Sequence, residues 1–436
     1  MYNKINEYLR EYKPLLTNRR LMTIITAGVI SSFGSKISYF ALLRKVYAIS
    51  GGRITDLGFL TMAEMIPAVV LGTLAGYMID RVSRKWTMVI SDIMSGIVIL
   101  TVIFADNINL IYIIAFASAS VYVFREPAQR AFEPNLVVKE DIPLLNSFMS
   151  ATNSLVQIVG SATGAAIVGF VGVTNAFVID SATFFASAAI ILTVSIKENH
   201  TLKQEKAEIN SNPVKEFLSG VSIMWTDKAI KLMVLIEVYL TFAMAMQGIL
   251  IYVFIKETLK MGAMAELAWG ILLSSLGVGA VLGSVVIGVK VKQYRNKFKL
   301  FLNILMFDAV FFTLFLINKF FPISVLLFAF LGVVGSAYMI ILNSVLQAAV
   351  PDENRGKVFS VLAMLRGPVG VLSVLVGTTA ATFITAQAVL LAAAGIEALI
   401  AVGVRLTKAY KEVDDIMAVK ELAEKPENKA DKVFSE

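Results

Sequence analysis

The sequence predicts an all-α membrane protein with twelve transmembrane helices in two six-helix pseudo-repeats. Three observations predict it. Of 436 residues, 57% are apolar and 16% charged, with a mean hydropathy of +0.75, whereas soluble domains carry about 25% charged residues. Apolar runs able to cross a hydrocarbon core of about 30 Å, which takes about 20 helical residues, recur twelve times. Lys and Arg also segregate. With both termini inside, 31 fall in inner segments and 6 in outer loops, and Lys36 and Arg366 complete the 39 from within spans. That bias predicts a multi-pass protein of the cell (inner) membrane with both termini cytoplasmic. The net charge of +7 is then a topogenic signal against anionic inner-leaflet lipid. No basic stripe is interleaved with stacking aromatics, so no nucleic-acid partner is expected.

The spans are read at 21–43, 57–79, 87–105, 108–124, 148–171, 175–195, 232–254, 267–289, 300–318, 323–347, 359–384 and 386–404. The fourth is the shortest. Residues 1–20 are polar and form a cytoplasmic N-terminal segment. The run that follows is long enough to cross and lacks a small-residue cleavage pattern, so it reads as a retained first span. One six-helix half then covers 21–196 and the other 232–404. Between them, 197–231 is a central cytoplasmic loop, and 405–436 is a charged cytoplasmic tail. In the loop, Asn212 and Pro213 read as N-cap and first residue of a helix. Phe217, Val221 and Met224 share one face of it, which suits a helix lying on the inner membrane surface.

The halves echo each other at an offset of about 212 residues. Val138-Lys139-Glu140-Asp141 leads into span five as Val350-Pro351-Asp352-Glu353 leads into span eleven. Leu71-Gly72 and Gly76 correspond to Leu282-Gly283 and Gly288. Two halves around a midplane site is the layout of many secondary transporters.

Composition also removes chemistries. There is no Cys and one His, His200, so no metal site and no intramembrane His relay is expected. No Lys precedes Ser or Thr, so the phosphate cradle G-x-x-x-x-G-K-S/T does not occur. No nucleophile–base constellation is visible. No enzymatic activity, catalytic residue or cofactor is expected, and any uphill transport would draw on an ion gradient through carboxylates.

Ionisable groups in spans are functional candidates by default. They are Lys36, Glu64, Asp92, Asp180, Glu237, Asp308, Arg366 and Glu397. Lys36 and Glu64 both lie 14 residues from Ser50; a hairpin of spans one and two would put them at one depth, as an ion pair. Glu64 and Asp308 are the candidate titrating carboxylates, and Lys36, Glu64, Asp308 and Arg366 the candidate coupling or substrate-cavity residues. Asp92 sits near the inner surface and should pair with a nearby Arg. Asp180 lies near the outer surface, and Glu237 or Glu397 could face a helix partner. Arg366 precedes Gly367-Pro368, where a Pro-loosened helix offers carbonyls to a guanidinium. Arg44 and Lys45 can snorkel to the outer surface. Gly160, Gly164 and Gly169 permit close helix approach. Eighteen Met and 28 Phe supply soft apolar surface suited to a greasy pocket.

The stretch Gly76-Tyr77-Met78-Ile79-Asp80-Arg81-Val82-Ser83-Arg84-Lys85 resembles the G-x-x-x-D-R-x-G-R-R/K loop of major facilitator superfamily transporters, with Ser83 in place of Gly. Gly76 would allow tight packing, and Arg84 and Lys85 could reach acids on a neighbouring helix. Pro351-Asp352-Glu353-Asn354-Arg355-Gly356-Lys357-Val358 is similar to the P-D-E-x-R-G-R/K-V segment, and 124–136, with Pro127-Ala128 and Pro134, to the P-A-x-x-A-x-x-P-x-L of the macrolide- and siderophore-efflux-like branch. The resemblance spans about Arg20 to Arg405. It implies the major facilitator fold, alternating access, and commonly proton-coupled export of drugs or siderophores. It also implies an inner latch, in which Asp80, Arg81, Arg84 and Lys85 meet the start of span eleven at Asp352 and Arg355. Three features depart from the antiporter pattern: span four, ending at 124, lacks a buried Arg; Ala165 stands where Pro is usual; and Lys36 with Ser35 stands where relatives often have an acid.

The expected partners are a small-molecule substrate, protons and the lipid bilayer. The expected function is export of hydrophobic or amphipathic compounds, including antibiotics, on the proton gradient. The alternative is a facilitator or importer of a metabolite, siderophore or lipid without proton antiport. Substrate identity and oligomeric state are not legible in the sequence.

Overall fold

A computed structural model describes residues 11–79, 81–195, 213–290 and 296–408, with 410 and 413. Among them the regular structure is helical, with short 3-10 turns and no strand. Helix α1 spans Arg19–Ile49, α2 Ile54–Ile79, α3 Arg84–Thr101, α4 Ile108–Phe132 and α5 Ile142–Leu192. A shorter helix α6, Pro213–Thr226, is followed by α7 Lys228–Glu257, α8 Ala265–Lys290 and α9 Lys297–Ile317. The series closes with α10 Phe321–Ala349, α11 Asp352–Phe383 and α12 Ala386–Gly403. Polar side chains set several starts: Asn18, Ser83, Asn107, Asn296 and Thr385 each accept from a backbone N–H of the first turn they precede.

Eleven described helical runs are long and apolar enough to cross a membrane. One, Lys139–Leu192, has 54 residues, against about 20 for one crossing. It breaks at Gly172, with φ 82° and ψ 169°, a conformation essentially confined to glycine. Its arms, 142–171 and 173–192, are the fifth and sixth crossings, so the crossings number twelve among the described residues. The connection expected at 172–174 is a single kinked residue.

Two further boundaries move. The fourth span does not end at 124: α4 continues through Pro127 to Phe132, because the polar side chains of its last two turns find partners inside the bundle. The first span runs on past 43 to Ile49, carrying Arg44 and Lys45 with it. Lys45 donates to the Val102 carbonyl at 2.5 Å and Arg44 to that of Val168 at 3.4 Å. Both cations therefore hold helix backbone rather than only snorkelling outward. Helix α6 forms as expected from Pro213, while Asn212 and the Phe217 side chain lie outside the described residues. Met224 and Val221 pack into the core with α7 and α11 residues such as Met233 and Val361. Gly220 lies against the Lys357 backbone of α11. Val221 and Met224 of α6 thus cover protein, while Leu218 and Trp225 remain exposed.

The chain forms two compact units, Met1–Leu202 with Lys260–Ser274, and Lys203–Leu259 with Ser275–Glu436. The start of α8 falls in the first unit because Trp269 donates to the Tyr39 hydroxyl at 3.4 Å, Gly270 lies on the Ser161 backbone, and Ser274 donates to the Ile158 carbonyl. In the first unit α1 packs chiefly on α5, α2 on α4, and α3 on both α4 and α5. In the second, α9 packs on α10 and α12, and α7 on α11 and α12.

Glycines make the closest of these contacts possible. A Cβ at Gly164 would come within 3.0 Å of the Lys36 carbonyl carbon in α1, and one at Gly160 within 3.1 Å of the Lys36 side chain. Gly169 and Gly76 have no neighbour within 4 Å of such a Cβ, so the packing expected of them falls instead to Gly160, Gly164 and Gly34. Replacing Gly172 by Ala should destabilise the protein by about 1–3 kcal/mol through its backbone conformation, while Gly169→Ala should be close to neutral. Thermal unfolding of the two purified variants checks this; equal midpoints would show that the kink is not glycine-dependent.

Candidate functional site

A cavity of about 470 Å³ lies among the helices of the first unit. Helix α1 lines it with Ser32, Ser35, Lys36, Tyr39 and Leu42, spaced three, four and seven residues apart as one helical stripe. Glu64 comes from α2, Ser95 and Ile99 from α3, Ile114, Ser118 and Tyr122 from α4, and Asn153, Gln157, Asp180 and Phe184 from the two arms of α5. The wall is apolar on one part and hydroxyl- and charge-bearing on another, and the size is within the range of small-molecule sites.

The structure brings Lys36 and Glu64 to this one cavity but does not pair them. Lys36 donates from Nζ to Gln157 Oε1 at 2.5 Å, and no ion pair joins it to Glu64 among the described residues. The reason lies in the packing. Spans one and two are not a tight hairpin; α1 is drawn onto α5 by Gly160 and Gly164, and α2 onto α4. Asp180 is buried, with the Thr183 hydroxyl at 3.3 Å, and a Cβ at Gly34 would collide with both.

Below the cavity a charged network crosses the unit. Arg125 is 3% exposed. Its Nε donates to Asp92 Oδ1 at 2.5 Å, its Nη2 to Ser31 Oγ at 2.9 Å and its Nη1 to Gln129 Oε1 at 2.7 Å. Ser187 donates to Asp92 Oδ2 at 2.6 Å, and Gln129 to Glu133 Oε1 at 2.7 Å. The network ties α1, α3, α4 and the second arm of α5. Asp92 thus has the Arg partner expected of it. The expectation that span four lacks a buried Arg is overturned: α4 runs on past 124, and its next residue, Arg125, is buried. The signal was present, since Tyr122, Arg125, Gln129 and Glu133 recur at helical spacing on one face. A polar pocket of about 80 Å³ follows this ladder and shares Ser32, Tyr122, Asn153 and Val156 with the larger cavity.

In the second unit Arg366 does not turn to carbonyls freed by Pro368. It donates from Nε and Nη2 to Glu237 Oε1 of α7 at 3.1 and 2.7 Å, because a carboxylate is the stronger acceptor for a guanidinium. Asp308 is half-buried on α9. Glu397 of α12 is buried with Oε1 making no hydrogen bond.

Of the residues expected in the latch, Asp80 lies outside the described residues, as does the side chain of Asp352, which opens α11. Arg81 stacks over the Tyr77 ring at 3.5 Å. Arg84 donates to the Ala131 carbonyl at 2.9 Å, and Lys85 to the Leu192 and Val194 carbonyls at 3.1 and 2.7 Å. These are the C-terminal carbonyls of α4 and α5, where a cation is favoured by unpaired acceptors and by the helix dipole. Arg355 donates to the Gln347 carbonyl at 2.9 Å. The described residues contain no cluster of three metal-ligating side chains.

The sequence profile of the Major Facilitator Superfamily matches residues 24–374. The chain is 25% identical over 217 residues to the uncharacterized MFS-type transporter YfiS of Bacillus subtilis (strain 168), covering 49% of this chain and 52% of that one. It therefore spans about half the length of that relative. It is 23% identical over 369 residues to the multidrug efflux pump Tap of Mycolicibacterium fortuitum, covering 81% and 87% of the two. Among solved structures, the nucleoside transporter NupG superposes with a TM-score of 0.68 at 14% identity, over 89% of this chain and 98% of that one. At that identity the likeness concerns the fold alone.

The Arg125–Asp92 pair gives a direct test of the network. Arg125→Met or Asp92→Leu alone should cost about 3–5 kcal/mol by stranding a buried charge, whereas the double substitution should cost less than either. Unfolding midpoints of the three variants measure this; a double variant that loses the sum of the single effects would show that the two groups do not act as a pair.

Proposed function

The chain belongs to the Major Facilitator Superfamily, and on that premise we propose that it is a secondary active transporter of the cytoplasmic membrane that exports amphipathic, hydrophobic compounds, antibiotics among them, by alternating access driven by the proton gradient. The observation that carries the reading is the cavity of the first unit. Leu42, Ile99, Ile114 and Phe184 offer an apolar wall, and Lys36, Glu64 and Asp180 put ionisable groups in the same cavity. Such groups inside spans mark substrate or ion paths. With no His in any span, a carboxyl group has to carry the proton, and Glu64, which lines the cavity, is the candidate. The similarity to Tap and the 124–136 stretch support the efflux branch. In this reading the loop of Asp80, Arg81, Arg84 and Lys85 latches onto the start of α11 at Asp352 and Arg355 when the outward-open state forms.

A second reading is a facilitator or importer of a metabolite, siderophore or lipid without proton antiport. It is favoured by Lys36, a cation in the first span with a neutral partner, and by the serines of the cavity wall.

Expressed in an export-deficient bacterial host, the protein should raise the inhibitory concentration of several amphipathic antibiotics. Everted vesicles should then show substrate-dependent proton movement that Glu64→Gln abolishes at normal protein levels. Substrate movement without any proton flux would favour the second reading. A host left equally sensitive to every compound would count against export.

A further inference from the structure

The cavity of the first unit holds charges of both signs that the protein does not match to each other. Lys36 spends one donor on a neutral amide, that of Gln157, of the three an ammonium has. Glu64 accepts no hydrogen bond and forms no ion pair among the described residues. Arg366 on Glu237 and Arg125 on Asp92 are paired, whereas Asp308 and Glu397 of the other unit, like Glu64, form no ion pair among the described residues; Glu64 shares its cavity with an ammonium. Charge in a membrane interior is costly unless matched. Pairing Lys36 with Glu64 would be the simple solution, yet the fold keeps them apart. Lys36 is pinned by Gly160, Gly164 and Gln157 on the α5 side, and Glu64 rides on α2, which packs on α4.

Accepting the transporter reading above, we propose that the cavity takes a zwitterion: one molecule bearing an ammonium that Glu64 receives and a carboxylate or phosphate that Lys36 receives, on an apolar body against Ile114 and Phe184. The ligand supplies the pairing that the fold withholds. Asp180 also lines the cavity; it is 1% exposed and already accepts from Thr183, so Glu64, which accepts no hydrogen bond among the described residues, is the receiving group. A zwitterion has no net charge, so its own passage would be indifferent to the membrane potential.

The test uses the full-length protein in lipid nanodiscs and three probes on one scaffold: a zwitterionic fluoroquinolone, its carboxyl methyl ester (a cation) and its N-acetyl derivative (an anion). Affinities are read by equilibrium dialysis. The zwitterion should bind tightest, by about ten- to a hundredfold, the range expected for a charged hydrogen bond. Lys36→Gln should lower zwitterion affinity to that of the ester and leave the ester unchanged, while Lys36→Arg restores it. Glu64→Gln should lower it to that of the N-acetyl derivative. Unfolding midpoints confirm that each variant is folded. Equal or tighter binding of the ester by the unaltered protein overturns the proposal, as does a zwitterion affinity indifferent to Lys36→Gln, or no binding by any probe. The export reading fails separately, on the growth panel: a host protected against cationic compounds alone would keep export and remove the zwitterion.

Discussion

Charge placed in hydrocarbon has to be matched from within the protein, and that constraint organises most of what the structure shows. Arg125 is surrounded by Asp92, Ser31 and Gln129. Arg366 is held by Glu237. Lys45, Arg84 and Lys85 are spent on carbonyls at helix ends, where the backbone itself leaves acceptors unpaired. Lys36 and Glu64 depart from this pattern and line one cavity, which is where the proposed reading puts the solute; Asp308 and Glu397 depart from it as well, among the described residues.

The fold was legible because its signals are long. Twenty-residue apolar runs and a 31 to 6 charge bias survive errors of several residues at each boundary. The site was legible only as a set of residue types. Lys36 and Glu64 could be singled out as ionisable groups in spans, and both do line the cavity. Their relation could not, because it depends on which helices touch. Sequence neighbours need not be spatial neighbours: α1 lies on α5, more than a hundred residues away, through contacts as small as a missing Cβ. Gly160 and Gly164 carried that information, but glycine is common enough in spans that Gly169 looked equivalent and is not.

Arg125 shows a different kind of loss. Hydropathy hides it, because the last two turns of α4 are polar. Polar residues inside a membrane bundle lower the hydropathy of a helix without ending it, provided that each one meets a partner. Arg125, Gln129 and Glu133 form such a ladder, and their four-residue spacing is the better guide to where the helix stops. The two halves, which echo each other in sequence, also solve their charge problem differently. Asp92 in the third span has an arginine from the fourth, while Asp308 in the ninth has none in an ion pair among the described residues.

The junction of the fifth and sixth crossings is one glycine rather than a loop. Two long rods joined at a single residue share one hinge: the two soft dihedrals of Gly172 are where either arm can tilt against the other. Phe170, Val171 and Thr174 beside it are exposed, so a label attached there would report the bending of the joint directly.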